Sequence, residues 1–272
     1  MGARLPAGNH VGQWRRGVYH GFVHEVPSED KVKLNADPED RRVVYASPAD
    51  DVAANMDLAR QTVEACKLIL VHTNWQIRLL SKSTFLPQIA AMLADWSFAA
   101  RPDVYGRVIF GVSTGTFHEG AARAIEAGTP SVTRRIQSLH VLQDNGFRTF
   151  AMVCPSLPCE SPADYAAFAK EAAARLRYDR CEHVWAEVIN LRGESFKRTF
   201  AALREAGLEA KATAIDMVSH DGDAWENYNR ATFLAHAKVC EPYVGKLRFL
   251  TYAKPSTRGW WEKHIARGAV IL

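Results

Sequence analysis

From residue 42 onward, short β-rich apolar runs alternate with stretches whose apolar residues recur every three or four positions. The first pattern predicts strands and the second amphipathic helices, because strand side chains alternate faces while helical ones return to the same face after about 3.6 residues. Val43-Val44-Tyr45-Ala46 is followed by Met56, Ala59, Val63, Cys66 and Leu70 on one helical face. Ile77-Arg78-Leu79-Leu80 precedes a helix carrying Phe85, Ile89, Met92 and Trp96, with Pro87 in its first turn, where the missing N–H has no helical partner to lose. A third strand, Val108-Ile109-Phe110-Gly111-Val112, opens into a loop with Gly115, Gly120, Gly128 and Pro130 that has room for a short helix around Gly120 to Glu126.

Ser131 reads as the N-cap of a helix whose inward face is Val132, Ile136, Leu139 and Leu142, and Gly146 stands where a C-terminal cap belongs. Thr149-Phe150-Ala151-Met152-Val153 is the next strand, and Ser161-Pro162 starts the helix after it. His183-Val184-Trp185-Ala186-Glu187-Val188 leads to a helix with Phe196, Phe200 and Leu203 inward, closed by Gly207. A long helix around Trp225, Tyr228, Thr232, Ala235 and Val239 precedes a sixth strand, Leu247-Arg248-Phe249-Leu250-Thr251-Tyr252. The fold class is therefore α/β, with about six βα units around a mostly parallel sheet. Without a glycine-rich dinucleotide fingerprint, the units fit a partial TIM-like (β/α) barrel better than a doubly wound sheet. Residues 42–272 form this domain, and residues 1–41 a partly irregular linking segment.

Ligands of such folds bind at the carboxyl ends of the strands. The residues there are Ser47 with Asp50, Lys82 with Ser83, Ser113 with Thr114, Cys154, Glu187 with Asn190, and Tyr252 with Lys254. Arg134 and Arg135 follow on a helix. Strand ends meet solvent and are polar in any case. As a set, however, cationic groups that pair with a carboxylate, and hydroxyls and carboxylates that hold ammonium and ribose, suit an amino-acid-bearing ligand.

Composition narrows the picture rather than changing it. With 47% hydrophobic and 24% charged residues, the chain is ordinary for a folded globular protein. A formal charge of +4 permits a nucleic-acid partner without arguing for one. No apolar run is long enough for a membrane helix and no signal peptide opens the sequence, so a cytoplasmic protein without a membrane partner is expected. The five cysteines, Cys66, Cys154, Cys159, Cys181 and Cys240, are odd in number and scattered, unlike a disulfide framework. His118-Glu119, His183 and His220-Asp221 lie in separate segments without metal-ligand spacing, and no Gly-x-Ser-x-Gly marks a hydrolase.

The segment VIFGVST, followed by EAGTPSVTRRIQSLHVLQDNGFRTFAMVCPSLP, resembles the radical S-adenosylmethionine superfamily, in particular its spore photoproduct lyase-like group. VVYASPADD and IRLLSKST are similar to that group's Ser-x-x-Asp and Thr-Lys strand ends, and HVWAEVINLRG and KLRFLTYA extend the similarity to the C-terminal part. The resemblance implies that Ser47, Lys82 and Ser113 contact S-adenosylmethionine, and that Arg135 fixes its own segment or the cofactor. It implies a 4Fe-4S cluster that reductively cleaves the cofactor to a 5'-deoxyadenosyl radical, a reductant such as flavodoxin or ferredoxin, and nucleic acid as a candidate substrate. Cys154 and Tyr252 are the candidate hydrogen donors by position.

The Cys-x3-Cys-x2-Cys loop that holds this cluster in the superfamily is absent from the sequence, and no protein metal ligand is assigned. Cys154 and Cys159 alone are too few thiols for a cubane. Two readings follow. One is a radical S-adenosylmethionine-type enzyme, whose activity in this chain the absence of the cluster cysteines leaves open. The other is a non-catalytic nucleoside- or nucleic-acid-binding protein that retains the cofactor cradle, with Arg15, Arg16, Arg41 and Arg42 as candidates for a basic groove.

Overall fold

The structure is a computed structural model that describes residues 39–45, 51–100, 105–190 and 194–272. Its strands are β1 (Val43–Tyr45), β2 (Gln76–Ser81), β3 (Val108–Ser113), β4 (Thr149–Ser156), β5 (His183–Val188), β6 (Leu247–Thr251) and β7 (Ala269–Ile271). They are hydrogen-bonded in the order β1-β2-β3-β4-β5-β6-β7, and every pair with a described register is parallel. Sequential parallel strands joined by helical crossovers make this an α/β partial (β/α) barrel; a doubly wound sheet would reverse its strand order partway.

The helices are α1 (Met56–His72), α2 (Leu86–Ala100), α3 (Glu119–Ile125), α4 (Val132–Asp144), α5 (Pro162–Arg175), α6 (Ser195–Glu205), α7 (Glu209–Ser219), α8 (Gly222–Val239) and α9 (Arg258–Glu262). Local chemistry explains their starts. Asn55 caps α1 by accepting the Leu58 N–H at 2.9 Å. Ser161 and Asp164 form a reciprocal capping box at α5, whose first residue is Pro162. At the end of α4, Gly146 adopts φ 77, a left-handed conformation that costs glycine little.

Three elements go beyond the periodicity, among them the five-residue α9. Helix α7 is separate from α8, and its weak amphipathic pattern hides it between Gly207 and the capping Asp221. Strand β7 is only three residues long, too short to carry a pattern of its own.

Two compact units divide the chain. One comprises the residues up to Val112 with Gln137–Arg148, and the other Ser113–Ile136 with Thr149–Leu272. In the first, Leu58, Val63 and Leu70 of α1, Ile77 and Leu79 of β2, and Ile89 and Leu93 of α2 are buried. In the second, Ala151 and Val153, Val184 and Ala186, and Leu247 and Phe249 are buried on one face of β4 to β6. Each large apolar side chain so buried contributes about 1.5–3 kcal/mol. The alternate residues Met152 and Cys154, Trp185 and Glu187, and Arg248 and Leu250 are half-buried on the other face, as the period of two requires. No helix among the described residues is long and apolar enough to cross a membrane.

Candidate ligand site at the strand ends

In the first unit, one carboxylate organises the exit of β2. Asp51 Oδ1 accepts hydrogen bonds from Ser81 Oγ at 2.5 Å and the Ala53 N–H at 2.9 Å, while Oδ2 accepts the Lys82 N–H at 2.9 Å. Ser81 Oγ in turn accepts the Ser83 N–H at 2.8 Å. The backbone carrying the half-buried Lys82 is thus pinned on both sides. Ser47 and Asp50 lie outside the described residues, as do Arg15 and Arg16. Arg42 pairs with Asp40 at 2.5 Å and lies 5.2 Å over the Trp75 ring.

In the second unit, Ser113 closes β3 with its Oγ donating to the Cys154 carbonyl at 3.4 Å. Thr114 Oγ1 donates to the Thr116 carbonyl at 2.8 Å, turning the chain toward Gly115. A side chain at Gly115 would meet the Pro155 carbonyl oxygen at 2.0 Å, so the backbones of the loops after β3 and in β4 approach as only glycine permits. Arg135 is 1% exposed. Its Nε donates to the Pro130 carbonyl at 2.8 Å, and its Nη1 to the Glu126 carboxylate at 2.5 Å and the Ser113 carbonyl at 3.5 Å. Its Nη2 donates to Thr129 Oγ1. The guanidinium ties the Glu126–Ser131 segment to the end of β3 from inside the protein; it is not a surface ion pair.

Next to these ends, the Cys154 thiol on β4 lies 3.5 Å from Glu187 Oε2 on β5. Burial holds the Glu187 carboxyl above the usual carboxylate range, against the opposing pull of the Cys154 hydrogen bond. No cation pairs with it among the described residues. Tyr252, just past β6, is 37% exposed, and Lys254 Nζ donates to the Gly222 carbonyl at 3.2 Å. Asn190 is half-buried beyond β5.

The exits of β4 and β5 are held by α8. The Tyr228 hydroxyl donates to the Ser156 carbonyl and accepts the Ile189 N–H at 3.0 Å, and Trp225 Nε1 donates to the Ile189 carbonyl at 3.0 Å. Periodicity selects Trp225 and Tyr228 as buried residues but carries no signal of these bonds. Asp51 is missed in the sequence for a simpler reason: it sits beside Asp50 in the motif, and its bonds to Ser81 and Lys82 are a matter of the fold.

Cluster ligation fails on the placement of the thiols among the described residues. All five cysteines are among the described residues, and no three histidine, cysteine or carboxylate side chains there group as a metal set. Burial pushes the thiols of Cys66 and Cys240 up to about 12 and that of Cys159 up to about 11. The residues of this sequence do not fit a 4Fe-4S cluster. In the second unit, the strand ends bring together the Ser113 hydroxyl, Cys154 and the Glu187 carboxylate.

No family model matches the chain, and no curated protein matches its sequence. Among solved structures, a cysteine-to-serine mutant of spore photoproduct lyase superposes with a TM-score of 0.49 at 17% identity, covering 71% of this chain and 56% of that one. Spore photoproduct lyase complexed with dinucleoside spore photoproduct gives a TM-score of 0.49 at 17% identity, over 69% of this chain and 52% of that one. A double mutant of the same enzyme with bound AdoMet and dinucleoside spore photoproduct gives 0.48 at 17% identity, over the same shares of 69% and 52%. The chain spans little more than half the length of these lyase structures.

Proposed function

We propose that this chain is an S-adenosylmethionine-binding cradle of the radical S-adenosylmethionine type, and that its residues bind and orient the cofactor without cleaving it. The observation that supports the reading is the order of polar residues at successive strand ends. Ser47, Lys82 and Ser113 follow VVYA, IRLLS and VIFGV in the same order as in the group the sequence resembles. Lys82 follows β2 directly and Ser113 closes β3, the ends at which (β/α) folds bind ligands.

The roles follow from side-chain chemistry. Lys82 is the partner for the cofactor's carboxylate, Ser113 offers a hydroxyl for its polar groups, and the bonds of Asp51 and Arg135 hold these segments in place. When bound, S-adenosylmethionine supplies a sulfonium centre activated for C–S cleavage. Reductive cleavage requires three thiolates that this sequence does not bring together, so no radical step is assigned to it.

Isothermal titration with S-adenosylmethionine tests the reading. One saturable site is expected, weakened roughly tenfold or more by Lys82→Ala, in line with loss of a charge-assisted hydrogen bond. Absence of binding overturns it. Anaerobic iron-sulfide reconstitution tests the second half: no iron uptake is expected, whereas about four irons per chain would show that these cysteines assemble a cluster after all.

A further inference from the structure

Among the described residues, no cation compensates the half-buried carboxylate of Glu187. Its one hydrogen-bond partner among them is the Cys154 thiol at 3.5 Å, a weak neutral donor. The arginine nearest along the same face of β6, Arg248, is turned to the other end of the strand, where Nη1 donates to the carbonyls of Gly245 at 2.6 Å and Leu247 at 2.8 Å. Leu250 stands opposite Glu187 in the β5–β6 register, and it is apolar. An ionised carboxylate in such surroundings is costly unless a positive group completes it.

Two further features narrow what that group is. Trp185 precedes Glu187 by two residues on the same face of β5, about 7 Å along the strand, and it is half-buried, with Met152 opposite it on β4. Opposite the ring on β6 is Arg248, whose guanidinium bonds to the carbonyls of Gly245 and Leu247, while Leu250 faces the carboxylate. An aromatic ring two residues from such a carboxylate suits a weakly hydrated cation clothed in carbon. A primary ammonium needs three hydrogen-bond acceptors, and Cys154 is set here as a donor. A sulfonium needs none.

We infer that Glu187 and Trp185 form a subsite for the sulfonium of the bound nucleoside and set the preference for it over the neutral thioether. This rests on the cofactor reading above, which it deepens by assigning charge selectivity to residues outside the Ser47, Lys82 and Ser113 set. The carboxylate contributes Coulombic attraction in a partly desolvated place, and the indole contributes its negative face.

The test is a titration of S-adenosylmethionine and S-adenosylhomocysteine, which differ by one methyl group and the sulfonium charge, into the full chain and into Glu187→Gln. The native chain is expected to prefer the sulfonium compound by roughly tenfold or more, and Glu187→Gln to bind the two within about twofold of each other. Trp185→Leu supplies an independent variant and is expected to lower the preference several-fold. Equal binding of the two compounds by the native chain, or a preference that survives Glu187→Gln, overturns the subsite while leaving the cofactor reading intact. Binding of neither compound by the native chain overturns both.

Discussion

Arg135 and Glu126 are a buried ion pair, with side chains 1% and 9% exposed, and each offsets part of the other's desolvation. Arg135→Ala is expected to lower unfolding free energy by about 3–5 kcal/mol in urea titration, because it removes the ion-pair partner of a buried carboxylate and three carbonyl and hydroxyl contacts. Arg135→Lys should recover little, since a single ammonium cannot reproduce the fork that reaches Pro130, Glu126 and Thr129 together. Gly115→Ala places a methyl group 2.0 Å from the Pro155 carbonyl oxygen. The expected result is a loss above about 3 kcal/mol or failure to fold, read by thermal melting. Arg135 is visible in the sequence as a helical arginine, but its burial is not. That depends on a carboxylate nine residues upstream with no periodic relation to it, and on a loop bringing Thr129 and Pro130 around the guanidinium.

Between elements, the clearest tie is the start of α4. The sequence marks Ser131 as its cap, and Ser131 Oγ does accept the Arg134 N–H, at a long 3.3 Å. The stronger cap comes from another helix: the Glu119 carboxylate in α3 accepts the Val132 N–H at 3.0 Å and the Thr133 N–H at 2.8 Å. Burial works against the ionised form of Glu119, but these bonds and the Thr133 hydroxyl outweigh it and hold its carboxyl below the ordinary 4.5. A lowered folded-state value means that the stabilisation is complete above the unfolded value and is lost as pH falls through the folded one. Glu119→Ala is therefore expected to cost about 1 kcal/mol at pH 7, and the difference from the native chain should vanish in melts taken at pH below the native Glu119 value. Tyr228→Phe removes both the bond to Ser156 and that from Ile189, and should cost about 1–3 kcal/mol by denaturant titration. Strong, capped helices such as α1, α4 and α5 are legible because one face and one cap coincide. Helix α7 is not, because its buried residues Ala212, Ala214, Ile215 and Val218 include two small alanines that give little contrast.

At the scale of the molecule, the alternation of runs fixes an α/β fold of parallel strands, since each strand is followed by a helical stretch long enough to return the chain to the same end. Strand count is less legible: β7 adds three residues at the end of the sheet, and pairing with β6 rather than any pattern of its own makes it a strand. The cysteines behave as a whole-chain property. Cys66, Cys181 and Cys240 are buried, Cys154 and Cys159 half-buried, and none is bonded to another. A thiol reagent should therefore label no more than two sites slowly in the native protein and five after denaturation, counted by mass spectrometry. Fast labelling of a third site in the native state would contradict this packing.

The phenolic oxygen of Tyr228 touches both the end of β4 and the residue after β5. One atom thus works as a rivet between the end of β4 and the residue after β5, and their spacing there is set by a helix. Residues can be exchanged in one loop without resizing the mouth between them. Accommodating a bulkier guest there would begin on α8, by drawing the rivet, before any change in the loops themselves could take effect.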